Sequence, residues 1–352
     1  MDTTDATIGN NFDMRSIHEL PIQVRDSPAA LLALEPGVVT APVGGDDPNA
    51  SRDGAVTGAR TDQGNVTLDG LDVNDYATGQ DFATVANAPV DSIPEFRGET
   101  ASPLAASGRG SGAQINLVTK SGTNTWHGSA YEYNRNTQFE ANTFFNNLNG
   151  LPRTKLIRNQ FGATLGGPVL KDKLFFFFNY QGRRDAREDS VLRIVPLDSF
   201  RNGSISYINS GAGCTPTSRA NTQPGCITTL TPGQVAAMDP QGIGADPALL
   251  SFITGRYPQA NDLTAGDGVN TGGFRFNAPA GRTENDYVAR IDYNLSSKMK
   301  LFGRFSILRD ISGDDANFSA PFQFPGDPVT HEIADHSWAW VIGHTWTISN
   351  DK

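Results

Sequence analysis

Between Ala130 and Ile348 the chain alternates polar and apolar residues with a period of two in six separate stretches. A period of two puts successive side chains on opposite faces of a strand. Tyr131 and Tyr133 alternate with Ala130, Glu132 and Asn134. Phe161, Ala163 and Leu165 mark the second stretch, and Leu174, Phe176, Phe178 and Tyr180 the third. Tyr287, Ala289, Ile291 and Tyr293 mark the fourth, Leu301, Phe305 and Ile307 the fifth, and Trp338, Trp340, Ile342 and Trp346 the sixth. The connections also alternate. Residues 136–156, 184–283 and 310–335 are long loops, whereas Pro168 to Asp172 and Ser296-Ser297 are tight turns.

A sandwich in water has no reason to gather its long loops at one end. A β-barrel in an outer membrane does, with short turns on the periplasmic side and long loops outside, and aromatic residues near the strand ends. A secreted all-β binding module is the alternative reading. The expected fold class is mainly β. An N-terminal mixed α/β domain is followed by the first six antiparallel strands of a transmembrane β-barrel, which is therefore incomplete. Six strands leave two unpaired edges and cannot close around a lumen.

Composition narrows the function classes. The net charge of -10 argues against nucleic acid, whose phosphates need a basic field. No apolar run reaches the length of about 18–20 residues that a membrane-crossing helix needs. The start, MDTTDATIGNNF, lacks the basic and apolar regions of a signal peptide. Cys214 and Cys226 lie in one loop rich in Ser, Thr, Pro and Gly, which reads as a disulfide in an oxidising compartment.

Ahead of the barrel, Ser27-Pro28 starts a short helix through Leu34, and Asn65 to Leu68 is a strand. Asp69-Gly70 is a hairpin-type turn and Leu71 to Tyr76 a possible return strand. Ala88 to Arg97 reads as a short helix or turn that leads into another strand. Asp69, Asp72 and Asp75 lack the spacing of a calcium loop and read as turn chemistry. Gly108, Gly110 and Gly112 suggest a phosphate loop, but no Lys-Ser/Thr ending or helix follows. The glycines read instead as backbone-packing positions at a junction that also includes Lys120, Gly122 and Trp126. Ala113 to Thr119 is expected as the last strand before the barrel, and Trp126 as the point where the first barrel strand enters the membrane.

No nucleophile, carboxylate pair, metal cluster or cofactor motif stands out, so the chain reads as a non-enzyme without cofactor. The five histidines are scattered. Lys155, Arg158, Arg183, Arg184, Arg187 and Arg193 read as loop solubility, with attraction of an anionic ligand or lipopolysaccharide as the sharper alternative. The inward polar residues Asn179, Gln181, Arg290, Asp292 and Arg304 are expected to contact a lumenal domain or water.

The segment ASGRGSGAQINLVTKSGTNTWHGSAYEYNRN resembles the plug-to-barrel junction of TonB-dependent outer-membrane receptors, especially the Oar-like branch. Val66-Thr67-Leu68-Asp69-Gly70, Gly166-Gly167-Pro168 and Asp172-Lys173-Leu174-Phe175-Phe176 match as well. The resemblance implies a plug over residues 1–124 and barrel over 125–352, placed in the outer membrane. It implies partnership with the TonB–ExbB–ExbD system, outer-membrane lipid and an extracellular ligand. The resemblance implies a barrel of 22 strands and, in the Oar-like branch, a carboxypeptidase-regulatory-like domain ahead of the plug, so the chain reads as a fragment. No TonB-contacting segment is visible in residues 1–12. The implied function is uptake of a scarce solute such as a siderophore, oligosaccharide or peptide. The alternative is an adhesion or protein-export component built on the same barrel.

Overall fold

The computed structural model describes residues 8–13, 37–40, 54–59, 63–74, 88–101, 112–148, 150–209, 226–313, 324–327 and 332–348. Two sheets organise them. The first has five strands in the order β1-β6-β7-β4-β5. These are β1 (Ile8–Asp13), β4 (Asn65–Leu68), β5 (Leu71–Asp72), β6 (Glu95–Ala101) and β7 (Gln114–Leu117). A two-stranded pair, β2 (Val38–Thr40) with β3 (Gly54–Val56), stands beside it. Strands β4 and β7 run parallel, and the rest of the sheet is antiparallel.

The short strands hold because their apolar residues close on one core. Val66, Leu68, Ile115 and Leu117 are buried together with Val56, Val73, Val90 and Ile93. Each fully buried aliphatic side chain contributes about 1.5–3 kcal/mol relative to exposure. Within the expected helix or turn from Ala88 to Arg97, Val90–Ser92 forms a 3-10 turn, and the strand β6 already starts at Glu95. The expected helix from Ser27 lies outside the described residues.

The second sheet is a curved wall in the order β16-β15-β14-β10-β9-β8. Its strands are β8 (His127–Asn136), β9 (Leu156–Leu170), β10 (Leu174–Pro196), β14 (Arg282–Asn294), β15 (Met299–Gly313) and β16 (Glu332–Trp346). All pair antiparallel with their sequence neighbours in the wall, as a meander requires. The sheet is open and not a closed barrel. The tight turns lie at 171–173 and 295–298, and the long connections all emerge at the opposite end.

The third connection is not the loop that the period-two pattern predicts. The period-two reading ended β10 near Arg183 and gave 184–283 to a loop. Strand β10 instead runs to Pro196, and β13 (Thr271–Pro279) pairs with its upper part. The pairing of β10 with β13 continues the register of β10 with β14. Strands β13 and β14 are thus one strand, broken only at Ala280-Gly281. Beyond the apolar rows one face of the ribbon meets water and the other, with Val191 and Val195, is buried, so the alternation no longer follows that of the wall while the strand goes on. Residues 197–209 and 226–270 form a cap. It contains the β11–β12 hairpin (Ile205–Ile208, Ile227–Leu230) and two helices, Pro232–Met238 and Pro247–Arg256. The cap is pinned to the next long loop by Arg256, whose guanidinium donates to both oxygens of Asp327 at 2.8 and 2.6 Å.

The wall's two faces differ in kind. Outward, Leu174, Phe178, Tyr287, Ile291, Phe305, Trp338, Trp340 and Trp346 form apolar rows across neighbouring strands. From the Met299–Trp346 pair to the Ile307–Trp338 pair is eight residues of strand, or about 27 Å. A tilt of about 35–45° shortens that to about 20 Å, close to the apolar band of an outer-membrane barrel. The next outward row is mostly polar, with Glu132, Asn285, Arg309 and His336 beside Phe161. Inward, Asn179, Gln181, Arg183, Glu284, Asp286 and Arg304 are all buried. Tyr131 departs from the aromatic belt. It faces inward, where its hydroxyl donates to Gln181 Oε1 at 3.1 Å.

Candidate functional site

The first sheet meets the concave face of the wall at the β4–β5 turn. Asp69 and Gly70 both have positive φ, +53° and +81°, as the primed hairpin turns demand. Asp tolerates that region better than most residues. The turn sets the Asp69 carboxylate against the wall, where only 1% of it is exposed. Its Oδ1 accepts from Thr119 N at 2.9 Å and from Arg290 Nη1 at 3.0 Å. Its Oδ2 lies 2.7 Å from Arg304 Nε, a close ionic contact whose N–H does not point along the line.

Two arginines on one carboxylate would leave excess positive charge. Asp292 balances it, since Arg290 Nε and Nη2 reach its two oxygens at 3.0 and 2.9 Å. The Arg290 guanidinium also lies over the Phe302 ring at 4.6 Å, a favourable cation–π placement. Ser121, just past β7, donates to Asp292 Oδ2 at 2.8 Å. The cluster therefore ties the β4–β5 turn, the end of β7 and two wall strands into one charge-balanced set. Removing one member of a buried ion set costs about 3–5 kcal/mol, because its partner is left charged and unpaired.

A second contact uses the 3-10 turn. Lys120 donates from Nζ to the Asp91 carbonyl at 2.6 Å, and its backbone N–H donates to Ser92 O at 2.8 Å. Burial lowers the Lys120 ammonium below its usual range, and the Asp91 carboxylate opposes that. The Asp91 carboxylate also stands beside the Tyr131 hydroxyl on the wall.

The other junction residues have separate roles. A Cβ on Gly112 would sit 3.0 Å from the Gln63 backbone carbonyl. One on Gly122 would sit 2.7 Å from Gly167 O and 2.9 Å from Phe176 N, so the chain there lies directly on the wall's backbone. Trp126 packs edge-on against Phe176 at 5.4 Å, at the turn end of the outer face. Asn124 and Asp172 hold that end together, with Asp172 N donating to Asn124 Oδ1 at 2.8 Å. Gly108 and Gly110 lie outside the described residues, as does Cys214. Cys226 is disulfide-bonded and buried.

Arg290, Asp292 and Arg304 thus meet residues at the edge of the first sheet, as their inward positions suggest. Asp69 is the residue that sequence reasoning missed, having been taken only as turn chemistry. Its signal was indirect: two inward arginines on a barrel wall require an anion. Asp72 does act within its turn, accepting from Asn74 N at 3.0 Å. The basic set near the rim also needs revision, because several of its members are strand residues with partners. Arg158 and Arg183 both bond Asp185 on the buried inner face. Arg184 faces outward and donates to Asn285 Oδ1 at 2.8 Å.

Comparison with known proteins agrees with this architecture. A family model described as "Outer membrane beta barrel domain" matches residues 118–351. The TonB-dependent transporter Oar of Myxococcus xanthus is 32% identical over 134 residues, which are 36% of this chain and 12% of that protein. Among solved structures, the outer membrane transporter YddB of Escherichia coli aligns with a TM-score of 0.55 at 12% identity. That alignment covers 97% of this chain and 37% of YddB. A variant of the ferric enterobactin receptor of Pseudomonas aeruginosa aligns at 15% identity with a TM-score of 0.47, covering 87% of this chain and 33% of the receptor. The chain therefore spans much less than two thirds of each of these proteins.

Proposed function

The chain belongs to the family of outer membrane β-barrel domains, and from that premise we propose that it supplies the plug and the first barrel strands of a TonB-dependent transporter. Residues 1–124 are the plug and 125–352 the barrel portion. Its location is the outer membrane. The observation that carries the reading is Asp69, a carboxylate from the small sheet held between Arg290 and Arg304 on the concave face of the wall.

In this reading the small sheet fills the lumen and the Asp69 cluster holds it there. Energy delivered by TonB, with ExbB and ExbD, shifts the plug and strains that cluster first. The cluster is charged and hydrogen-bonded, so it can re-form after each cycle without the loss of a packed apolar interface. The outward apolar rows meet lipid, and lipopolysaccharide meets the polar row above them. The long loops receive the extracellular solute, and a Cys214–Cys226 bridge stiffens the longest one.

The test uses the complete gene that carries this segment, expressed in a host with and without TonB and offered candidate solutes of the siderophore, oligosaccharide and peptide classes. Uptake of at least one solute is expected, and it should vanish when TonB is deleted. Asp69→Arg should lower that uptake or make the barrel leak, and Arg290→Asp in the same protein should recover part of it. Uptake indifferent to TonB, or none for any solute with surface binding intact, would overturn the reading in favour of adhesion or export.

A further inference from the structure

The two edges of the projecting β10–β13 ribbon are treated differently. Above Arg187 no described strand pairs with the outer edge of β10, because β9 ends at Leu156 opposite it. Glu188 N still donates to Lys155 O at 2.9 Å, which fixes the direction of the ladder. Even-numbered residues of β10 turn their backbone groups toward β9, and odd-numbered ones toward β13. The amides of Ser190, Leu192 and Ile194 therefore face an edge on which no described strand lies. Among the described residues the Leu192 carbonyl accepts from the Arg193 guanidinium, at 3.5 Å. The side chains of Leu192 and Ile194 are exposed as well.

The opposite edge, on β13, is covered. Asn261 and Asp262 N both donate to Gly273 O at 2.9 Å. The Asn261 side chain accepts from Arg275 N at 2.7 Å and donates to Arg275 O at 2.8 Å, as a paired strand would. Exposed edges are ordinarily blunted by lysine, proline, a bulge or a covering segment. From Ser190 to Val195 the β10 edge has no proline or lysine, and its pairing with β13 has no bulge.

We propose that this edge of β10, at Ser190, Leu192 and Ile194, is a docking site for an extended polypeptide segment of a partner protein, added as a strand. An incoming strand would continue the β9–β10 ladder in the same register beyond Leu156. Unpaired backbone donors and acceptors recognise a peptide backbone, and alternate exposed apolar side chains favour apolar residues on one face of the guest. The site lies above the lipid band, and it stands whether or not the barrel imports a solute.

The experiment is residue-resolved amide exchange on the full-length protein in detergent. The probe is an acetylated and amidated peptide of alternating threonine and valine, about seven residues long to match the bare edge. In the free protein, Ser190, Leu192 and Ile194 should exchange freely, while Val191, Arg193 and Val195 are protected by β13. Saturating peptide should slow the first set by about tenfold or more and leave the second unchanged. Leu192→Pro removes one edge donor and should weaken peptide binding by about tenfold, whereas Leu192→Ala should hold it within about threefold. Three results would each refute the proposal. The even-numbered amides could be protected already in dilute free protein. Their protection could depend on protein concentration alone, which would assign the edge to a second copy. Or saturating peptide could leave them unprotected.

Discussion

In the small sheet Val66, Leu68, Ile115 and Leu117 point into a shared dry core. In the wall the arrangement is turned round. Ile291, Trp338, Trp340 and Ile342 are exposed on the convex face, while Asn179, Gln181, Arg183 and Glu284 are buried on the concave one. Both sheets obey one rule, that apolar surface leaves water, but they meet different solvents. The small sheet must make its own apolar phase from a few strands. The wall borrows one from the bilayer, and its inner face is free to carry charge. Burial in this molecule therefore does not mean apolar, and exposure does not mean polar.

Matched substitutions test the contrast. The largest effect is expected at Ile115, where Asp would place a charge in the dry core with no partner. Such a change should cost about 4 kcal/mol or more and leave the small sheet unfolded, read as loss of protease resistance in residues 63–120. Arg in place of Ile291 should cost about 2–4 kcal/mol, because that position falls near the middle of the outward band. Urea titration in lipid vesicles measures it, and an unchanged midpoint would mean that this face does not meet lipid. Leu in place of Asn179 reverses the expected sign. Asn179 is fully buried, and among the described residues neither amide atom has a hydrogen-bond partner. An apolar side chain of similar volume should be neutral or stabilising by about 1 kcal/mol in the same titration. A loss of several kcal/mol there would show that the concave face relies on that amide.

The smallest effect lies in the cap, outside both sheets. Burial opposes the charge on Asp267, but donors from Val269, Thr271 and Asn270 outweigh it and hold the carboxyl at about 2. The carboxyl titrates at 3.8 when free. Its folded value is the lower one, so its contribution is complete above pH 4 or so and fades as pH falls toward about 2. Pepsin should cut near residues 266–271 faster at pH 2 than at pH 4, after correction against an unfolded substrate. Asp267→Asn should remove the difference.

Much of the wall was legible because lipid and water enforce strict alternation along every crossing strand. The strand ends at the turns and the parity of the loops could be read from Leu174, Tyr293 and Trp346 outward. The reading failed where that enforcement stops. Past Arg183 both faces of β10 are wet or covered by the cap, and charged residues no longer signal a loop. Contacts between the sheets left almost no trace in the sequence. Asp69 and Arg290 lie 221 positions apart, and no periodicity links a hairpin turn to a barrel strand. Only the cost of an inward arginine pointed to a partner, and it did not say which.

The unbroken register of β13 into β14 has a mechanical consequence. Nine residue pairs of the ribbon stand directly in line with the pairs that anchor β14 in the wall. Pulling on the cap along the strand axis would load those bonds together in shear, where each shares the force, and would not unzip them one by one. The same strand carries Arg290 deep in the wall. A bound guest that tugs on the rim therefore pulls on a stiff rod whose far end grips the Asp69 turn.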